Sequence, residues 1–475
     1  MKDRRWTLQV LALACASASA LVVGCSDSDD SIDTVDSGND TLTRQQDSRE
    51  FAVNRETLAF EAITGVTTDR WSGVMDSGAG YRIEVPAEGS WNGMLVMYAH
   101  GYRGEGSELT VSNPNLRNYY ISQGYAWAAS SYSKNYYDVR AGVEDTNALA
   151  NAFVAIAEQN GRTVMAPSKI YIVGDSMGGH VAAAAVEAET QREAANKVAY
   201  AGAVPRCGVV GGTYEFDYLL NVTFAAQHVA DLGPTSYPAT DFDQSEIDAV
   251  LWTTPPSFTQ QGVPTAAGER LENIVRTLSG GDRPVFEQGF RGGYYNVVMG
   301  TGGRDGTVNG ILARNLSGNQ DVTYNIDNDP DASTMDETAF NESILRVSAD
   351  PSANPARSDG VRWIPRVNGE FNVPVVTLHG LGDLYVPFVH EQVYRQRADA
   401  SGSGDMLVQR AVRAPGHCDF TQAERQAAFD AMINWEQNNQ KPAGDDVARS
   451  AVSSADYGCQ FTTSTRQGVA ACAVP

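Results

Sequence analysis

With 475 residues, of which 42% are hydrophobic and 9% aromatic, the chain is longer than one ordinary domain needs and can bury a sizeable core. Its formal net charge of −23 repels phosphate backbones, so no nucleic-acid partner is expected. Past the N-terminus no run reaches the roughly 18 apolar residues of a membrane span, so none is expected there.

Taken in chain order, Lys2, Arg4 and Arg5 precede an apolar stretch from Trp6 to about Val23, the pattern of an export signal. The stretch closes on Val22-Val23-Gly24-Cys25, which resembles the lipobox of bacterial lipoproteins. That resemblance implies removal of residues 1–24, acylation of Cys25 and, with Ser26 next, an outer-membrane destination. The expected protein is exported, and either secreted or touching a membrane only through this anchor. Residues 25–50 are rich in Asp and Ser and read as a disordered acidic tether, with globular sequence from Phe51.

Short apolar, β-branched runs then alternate with helical patterns. The runs are Met94–Ala99, Tyr125–Ser130, Ile170–Gly174, Val198–Val204, Val373–His379 and Met406–Val412. Val143, Leu149, Phe153 and Ile156 mark an amphipathic helix, and Val181–Ala188 is an Ala-rich one suited to close packing. Continuous apolar strands separated by helices predict an α/β fold with a buried, mostly parallel central sheet.

Between the run at Ile170 and the Ala-rich helix stands Gly174-Asp175-Ser176-Met177-Gly178-Gly179. G-x-S-x-G at a strand-to-helix junction sets a serine in a strained turn above the sheet edge, where the helix N-terminus favours developing negative charge. The sequence resembles the α/β-hydrolase superfamily over roughly residues 70–212 and 371–440. In that family the catalytic residues follow in the order serine, acid, histidine. Here Asp383, in His379-Gly380-Leu381-Gly382-Asp383, is similar to the acid loop, and His417, in Ala414-Pro415-Gly416-His417-Cys418, to the histidine loop. Ser176 is then the expected nucleophile, His417 its base and Asp383 the group that orients the imidazole. His100, His180, His228, His379 and His390 lack this context, as do the rival acids Asp405 and Asp419. The oxyanion hole is assigned to the backbone N–H of Met177 and, from the HGx-like His100-Gly101-Tyr102, to that of Tyr102.

Residues 51–212 and 371–440 are thus the expected catalytic domain, with 213–370 inserted as a cap and 441–475 as a C-terminal extension. Aromatics of the insertion, among them Tyr214, Phe216, Trp252, Phe258, Phe286, Tyr294 and Tyr295, are expected to form its own core or to line a pocket. Asp327, Asp329 and Asp331 have the spacing of a calcium loop, but Ala332 and Thr338 stand where its glycine and glutamate belong. No metal and no cofactor is expected.

Removing Cys15 and Cys25 leaves Cys207, Cys418, Cys459 and Cys472, which allow three pairings. The last two suit a local staple, leaving Cys207 with Cys418 at the rim that carries the histidine loop. The motifs together look like exported bacterial esterase and amidase relatives such as phthalyl amidase. The resemblance implies a serine carboxylic ester hydrolase acting on small-molecule or polymeric esters. The alternatives are an amidase or peptidase with the same triad, a polyester depolymerase, or a non-catalytic binding protein on this scaffold.

Overall fold

A computed structural model describes residues 42–237, 242–302, 311–327, 329 and 332–472. The expected signal segment and Cys25 lie outside them, as do most of the tether and Asp331 of the rejected calcium loop.

Eight strands form one sheet: β1 (Thr68–Val74), β2 (Gly80–Pro86), β3 (Met94–Ala99), β4 (Ala126–Ser130), β5 (Lys169–Asp175), β6 (Gly202–Arg206), β7 (Val375–Gly380) and β8 (Leu407–Val412). Their spatial order is β1-β2-β4-β3-β5-β6-β7-β8, and only β2 runs against the rest. The interior strands are covered on both faces. Along β3, Leu95, Met97 and Ala99 enter one core, with α1 (Val139–Gln159) and α2 (Met177–Val186). Val96 and Tyr98 enter the other, with Tyr120, Phe429 and Met432. Alternation between two apolar layers explains why these strands read as unbroken apolar runs.

The hairpin of β1 and β2 had no counterpart among the expected runs. It lies at the sheet edge, and in β1 only Trp71 is buried, so neither a continuous run nor a clean alternation marks it. The run at Val198 also differs from expectation. Its first half bends under α1, where Tyr200 donates to Asn147 Oδ1 at 2.7 Å, and pairing begins at Gly202. The strand instead runs through Pro205 to Arg206, whose charge is compensated by Asp175.

The inserted segment contributes helices α3 (Tyr214–Val229), α4 (Gln244–Leu251), α5 (Ala266–Leu278), α6 (Phe286–Phe290), α7 (Tyr294–Gly302) and α8 (Met335–Ser343). Leu271, Ile274, Val275 and Leu278 line the buried stripe of α5. Trp252 packs on Phe290 and Tyr295 at centroid distances of 5.5 and 5.0 Å, so these aromatics build the insertion's own core. Its final stretch lies against the sheet domain instead: Arg362 pairs with Glu189 at 2.6 Å, and Glu187 accepts the N–H groups of Gly369 and Glu370.

After β7, α9 (Val389–Ala400) returns to the α1–α2 face, and α10 (Gln422–Asn438) covers the opposite one. The C-terminal extension runs along β8, where Asp445 N donates to Gln409 O and Asp445 Oδ2 accepts from Ala411 N, both at 2.7 Å. An edge that would expose unpaired backbone is thereby covered.

Ordered structure starts before Phe51. Arg44 is buried, pairs with Asp138 at 2.8 Å and lies 3.6 Å from the Trp363 ring centroid. Composition alone could not show this, because one arginine with a carboxylate and an indole holds down a segment that is otherwise polar.

Candidate active site

β5 ends at Asp175 and α2 begins at Met177, leaving Ser176 alone in the turn. Its φ of 60° and ψ of −126° lie where residues other than glycine seldom go. Neighbours hold it there: Ser176 N donates to Arg206 O at 3.0 Å, and Ser176 O accepts from Gly179 N at 2.8 Å. A Cβ on Gly174 would stand 1.9 Å from Gly178 O, and one on Gly178 would stand 2.1 Å from Ala99 O. The turn closes this tightly only with bare backbone at both positions.

Beneath it, Arg206 Nε lies 2.8 Å from Asp175 Oδ1, and Asp175 Oδ2 accepts from Arg206, Tyr98 and Asn115 at 2.9, 3.1 and 3.0 Å. This buried pair ties the ends of β5 and β6 together directly before the serine.

Asp383 lies in the loop after β7, fully buried, with Oδ1 accepting the N–H groups of Tyr385 and Val386 at 3.0 Å each. Oδ2 is thereby aimed at His417, 2.7 Å from Nδ1, while His417 Nε2 stands 2.8 Å from Ser176 Oγ. With the Nδ1 proton held by the carboxylate, Nε2 is the nitrogen able to accept the serine proton. Three sequence-remote loops thus meet at one edge of the sheet.

Met177 heads α2, where first-turn amides have no partner inside the helix. Tyr102 lines the same cavity as Ser176, and a Cβ on Gly101 would lie 3.7 Å from Ser176 Oγ. Both expected oxyanion donors therefore border the serine.

The cysteines pair Cys207 with Cys418 and Cys459 with Cys472. Cys418 Sγ is 3.5 Å from His417 Nε2, and Cys207 and Cys418 have φ of 41° and 55°. The proximity of Cys207, Cys418 and His417 mimics a ligand cluster, but sulfurs joined to each other offer no thiolate to an ion.

The cavity at Ser176 measures about 20 Å³, room for about one water. Tyr102, Tyr137 and Tyr385 line it from the sheet domain, and Glu215, Phe216 and Leu219 of α3 close it from the insertion. Glu215 and Tyr137 carried no sequence signal, since nothing in their local pattern sets them apart from a helix start and a loop. Tyr294 and Tyr385 stand edge-on to His417 at 5.8 and 5.4 Å, and Phe258, 70% exposed, stands on Tyr294 at 5.2 Å. A wider surface groove of about 470 Å³, between Arg395 and Lys441, holds no member of this constellation.

The remaining histidines have other partners. His100 lies between the carbonyls of Gly101 and Ser131, and His180 between Tyr137 Oη and Pro365 O; burial lowers both to about 4. His379 pairs with Glu391, His390 with Glu215, and His228 with Ser343. Asp405 is exposed beside Lys441, and Asp419 is bound to Arg466.

No protein-family model matches the chain. It is similar to o-phthalyl amidase of Xanthobacter agilis, 23% identical over 406 residues that cover 76% of this chain and 86% of the amidase. Among solved structures it is similar to feruloyl esterase B from Aspergillus oryzae, with 14% identity, a TM-score of 0.42, and 82% of this chain and 86% of that one covered. It is also similar to Candida antarctica lipase A in its closed state, with 13% identity, a TM-score of 0.38, and 82% and 80% covered.

The strand order, the single reversed strand and the serine turn define the class: the chain has the α/β-hydrolase fold.

Proposed function

We propose that the protein is a serine hydrolase that cleaves carboxylic esters through an acyl-enzyme on Ser176. The observation that carries this reading is His417 bridging Ser176 Oγ at 2.8 Å and Asp383 Oδ2 at 2.7 Å. His417 Nε2 takes the Ser176 proton as Oγ attacks the carbonyl carbon. The resulting oxyanion faces the N–H groups of Met177 and Tyr102, and Asp383 stabilises the imidazolium. Collapse breaks the carbon–oxygen bond of the ester, and His417 hands its proton to the departing alcohol. Water, deprotonated by the same nitrogen, then releases the acid and regenerates Ser176.

Tyr294 and Tyr385 beside His417, with exposed Phe258 leading to them, form an aromatic wall that fits an aryl group. An aryl amide is the second reading, favoured by the likeness to o-phthalyl amidase. The two disulfides support export to an oxidising compartment. Initial rates on matched 4-nitrophenyl esters and 4-nitroanilides, each with Ser176→Ala as control, test the reading. Serine-dependent turnover of the esters well above that of the anilides is expected. Faster anilide cleavage would replace the ester reading by the amide one.

A further inference from the structure

Among the described residues, Glu215 is the only carboxyl lining the cavity that contains Ser176, and it is 4% exposed. The one hydrogen bond of its carboxyl among the described residues joins Oε2 to His390 Nε2 at 2.8 Å. The polarity of that bond is fixed from behind. Gly211 N donates to His390 Nδ1 at 2.9 Å, so Nδ1 carries no proton, the ring is uncharged, and Nε2–H is the donor to Glu215. No lysine or arginine forms an ion pair with Glu215 among the described residues.

Three neighbouring hydroxyls are committed elsewhere. Tyr137 donates to His180 Nδ1, because the Nε2–H of His180 serves Pro365 O. Tyr214 donates to Leu278 O and Tyr218 to Leu384 O. An ionised Glu215 would therefore place an uncompensated charge in an apolar cavity, close to the Asp383 carboxylate. Burial, followed by the charge of Asp383, pushes its carboxyl well above the ordinary carboxylate range. With Oε2 accepting from His390, the carboxyl proton sits on Oε1, the oxygen without a partner among the described residues.

Resting on the hydrolase reading of Ser176, we propose that Glu215 is a specificity-determining residue whose neutral carboxyl donates a hydrogen bond from Oε1 to a single acyl oxygen that a substrate seated at Ser176 presents to this small cavity. Phe216, Leu219, Val209 and Val386 disfavour charged groups in so small a cavity, and the Glu215 donor selects acyl groups that carry an acceptor oxygen beside the scissile carbonyl. The substrate class is a short oxygen-substituted acyl group, such as an alkoxy or oxo acid. An ammonium-bearing group would instead require the carboxyl to lose its proton.

The matched esters 4-nitrophenyl methoxyacetate and 4-nitrophenyl butyrate differ in the acyl group by one oxygen in place of a methylene. The readout is the ratio of their kcat/KM values, compared between proteins so that the intrinsic reactivity of each ester cancels. Glu215→Leu should lower this ratio by roughly 10- to 100-fold, the cost of leaving the acceptor unpaired. Glu215→Gln, whose amide can accept from His390 and donate to the substrate, should retain most of it. An unchanged ratio in the leucine variant overturns the proposal. So does an equal collapse in the glutamine variant, which would show that a hydrogen-bond donor at this position is not what selects the oxygen.

Infrared difference spectra supply a second readout that needs no turnover. A protonated-carboxyl band present in the wild type and missing from Glu215→Gln is expected, and its absence from the wild type contradicts the neutral form. A protein that shows this band yet hydrolyses neither ester in a Ser176-dependent way would sink the hydrolase reading, not the protonation state of Glu215.

Discussion

Cys418 follows His417 directly, and its bridge to Cys207 fixes the histidine loop to the end of β6 across 211 residues of chain. The sulfur stands 3.5 Å from the imidazole nitrogen that faces Ser176. Closing so long a loop stabilises the fold by roughly 5 kcal/mol in the chain-entropy picture. Its local effect matters more for chemistry, since both cysteines hold φ values of 41° and 55° that a freed backbone would abandon. A displacement of about 1 Å in an acid–base group can lower the rate on the order of 100-fold. The double variant Cys207→Ala, Cys418→Ala should therefore lose ester turnover by about 10- to 100-fold at temperatures where its circular dichroism remains native. Equal rates with and without the bridge would contradict this role.

The glycines of the serine turn make a sharper test of packing. An added methyl at Gly178 meets the carbonyl oxygens of Ala99 at 2.1 Å and His100 at 2.8 Å, and backbone cannot swing aside as a side chain can. Gly178→Ala should cost about 1–3 kcal/mol in urea unfolding and lower turnover far more than that loss explains. Gly300, exposed in α7 with open space around its Cβ position, is the control. There alanine should raise stability by up to about 1 kcal/mol. Matching effects at the two positions would refute the steric account.

Much of this was legible in the residues. Met94–Ala99 and Ile170–Gly174 read as strands because two apolar layers keep every side chain in such a run buried. The glycine-flanked serine read as a turn because few other arrangements of that pattern are useful at a strand end. The acid and histidine needed the resemblance as well, since a loop aspartate and a loop histidine have no local signal of their own. Other features depend on contacts that sequence spacing does not encode. Arg44 is fixed by Asp138 and Trp363, about 94 and 319 positions away along the chain. Glu215 faces Ser176 only because α3 folds back over the sheet edge, and its partner His390 arrives from α9.

A pH dependence of stability follows from Glu187, which anchors the return of the inserted segment. Burial pushes its carboxyl up to about 8 from an ordinary 4.5, against the pull of the Glu370 and Gly369 N–H groups. Between those values the unfolded chain releases a proton that the folded protein keeps. Stability from this group is therefore present at low pH and falls as pH rises through the window, levelling off above about 8. At about 1.4 kcal/mol per pH unit the loss amounts to several kcal/mol. Glu187→Gln removes the titration, so the stability of the variant relative to wild type should improve steadily from pH 5 to about pH 8 and then level off. Asp217, raised to about 7, titrates with the same sign in both proteins and cancels in the comparison. Parallel urea midpoints across the range would show that Glu187 has no such shift.

The claim on which everything else depends is that Ser176 is the nucleophile, activated by His417 and Asp383. Reaction with a fluorophosphonate, which phosphonylates an activated serine, followed by peptide mapping, tests it most directly. The account predicts one label per chain, on the peptide containing Ser176, with no label in Ser176→Ala and labelling slowed by about 10³-fold or more in His417→Ala. A label on another residue, or a folded Ser176→Ala protein that still hydrolyses 4-nitrophenyl esters at the wild-type rate, would contradict it.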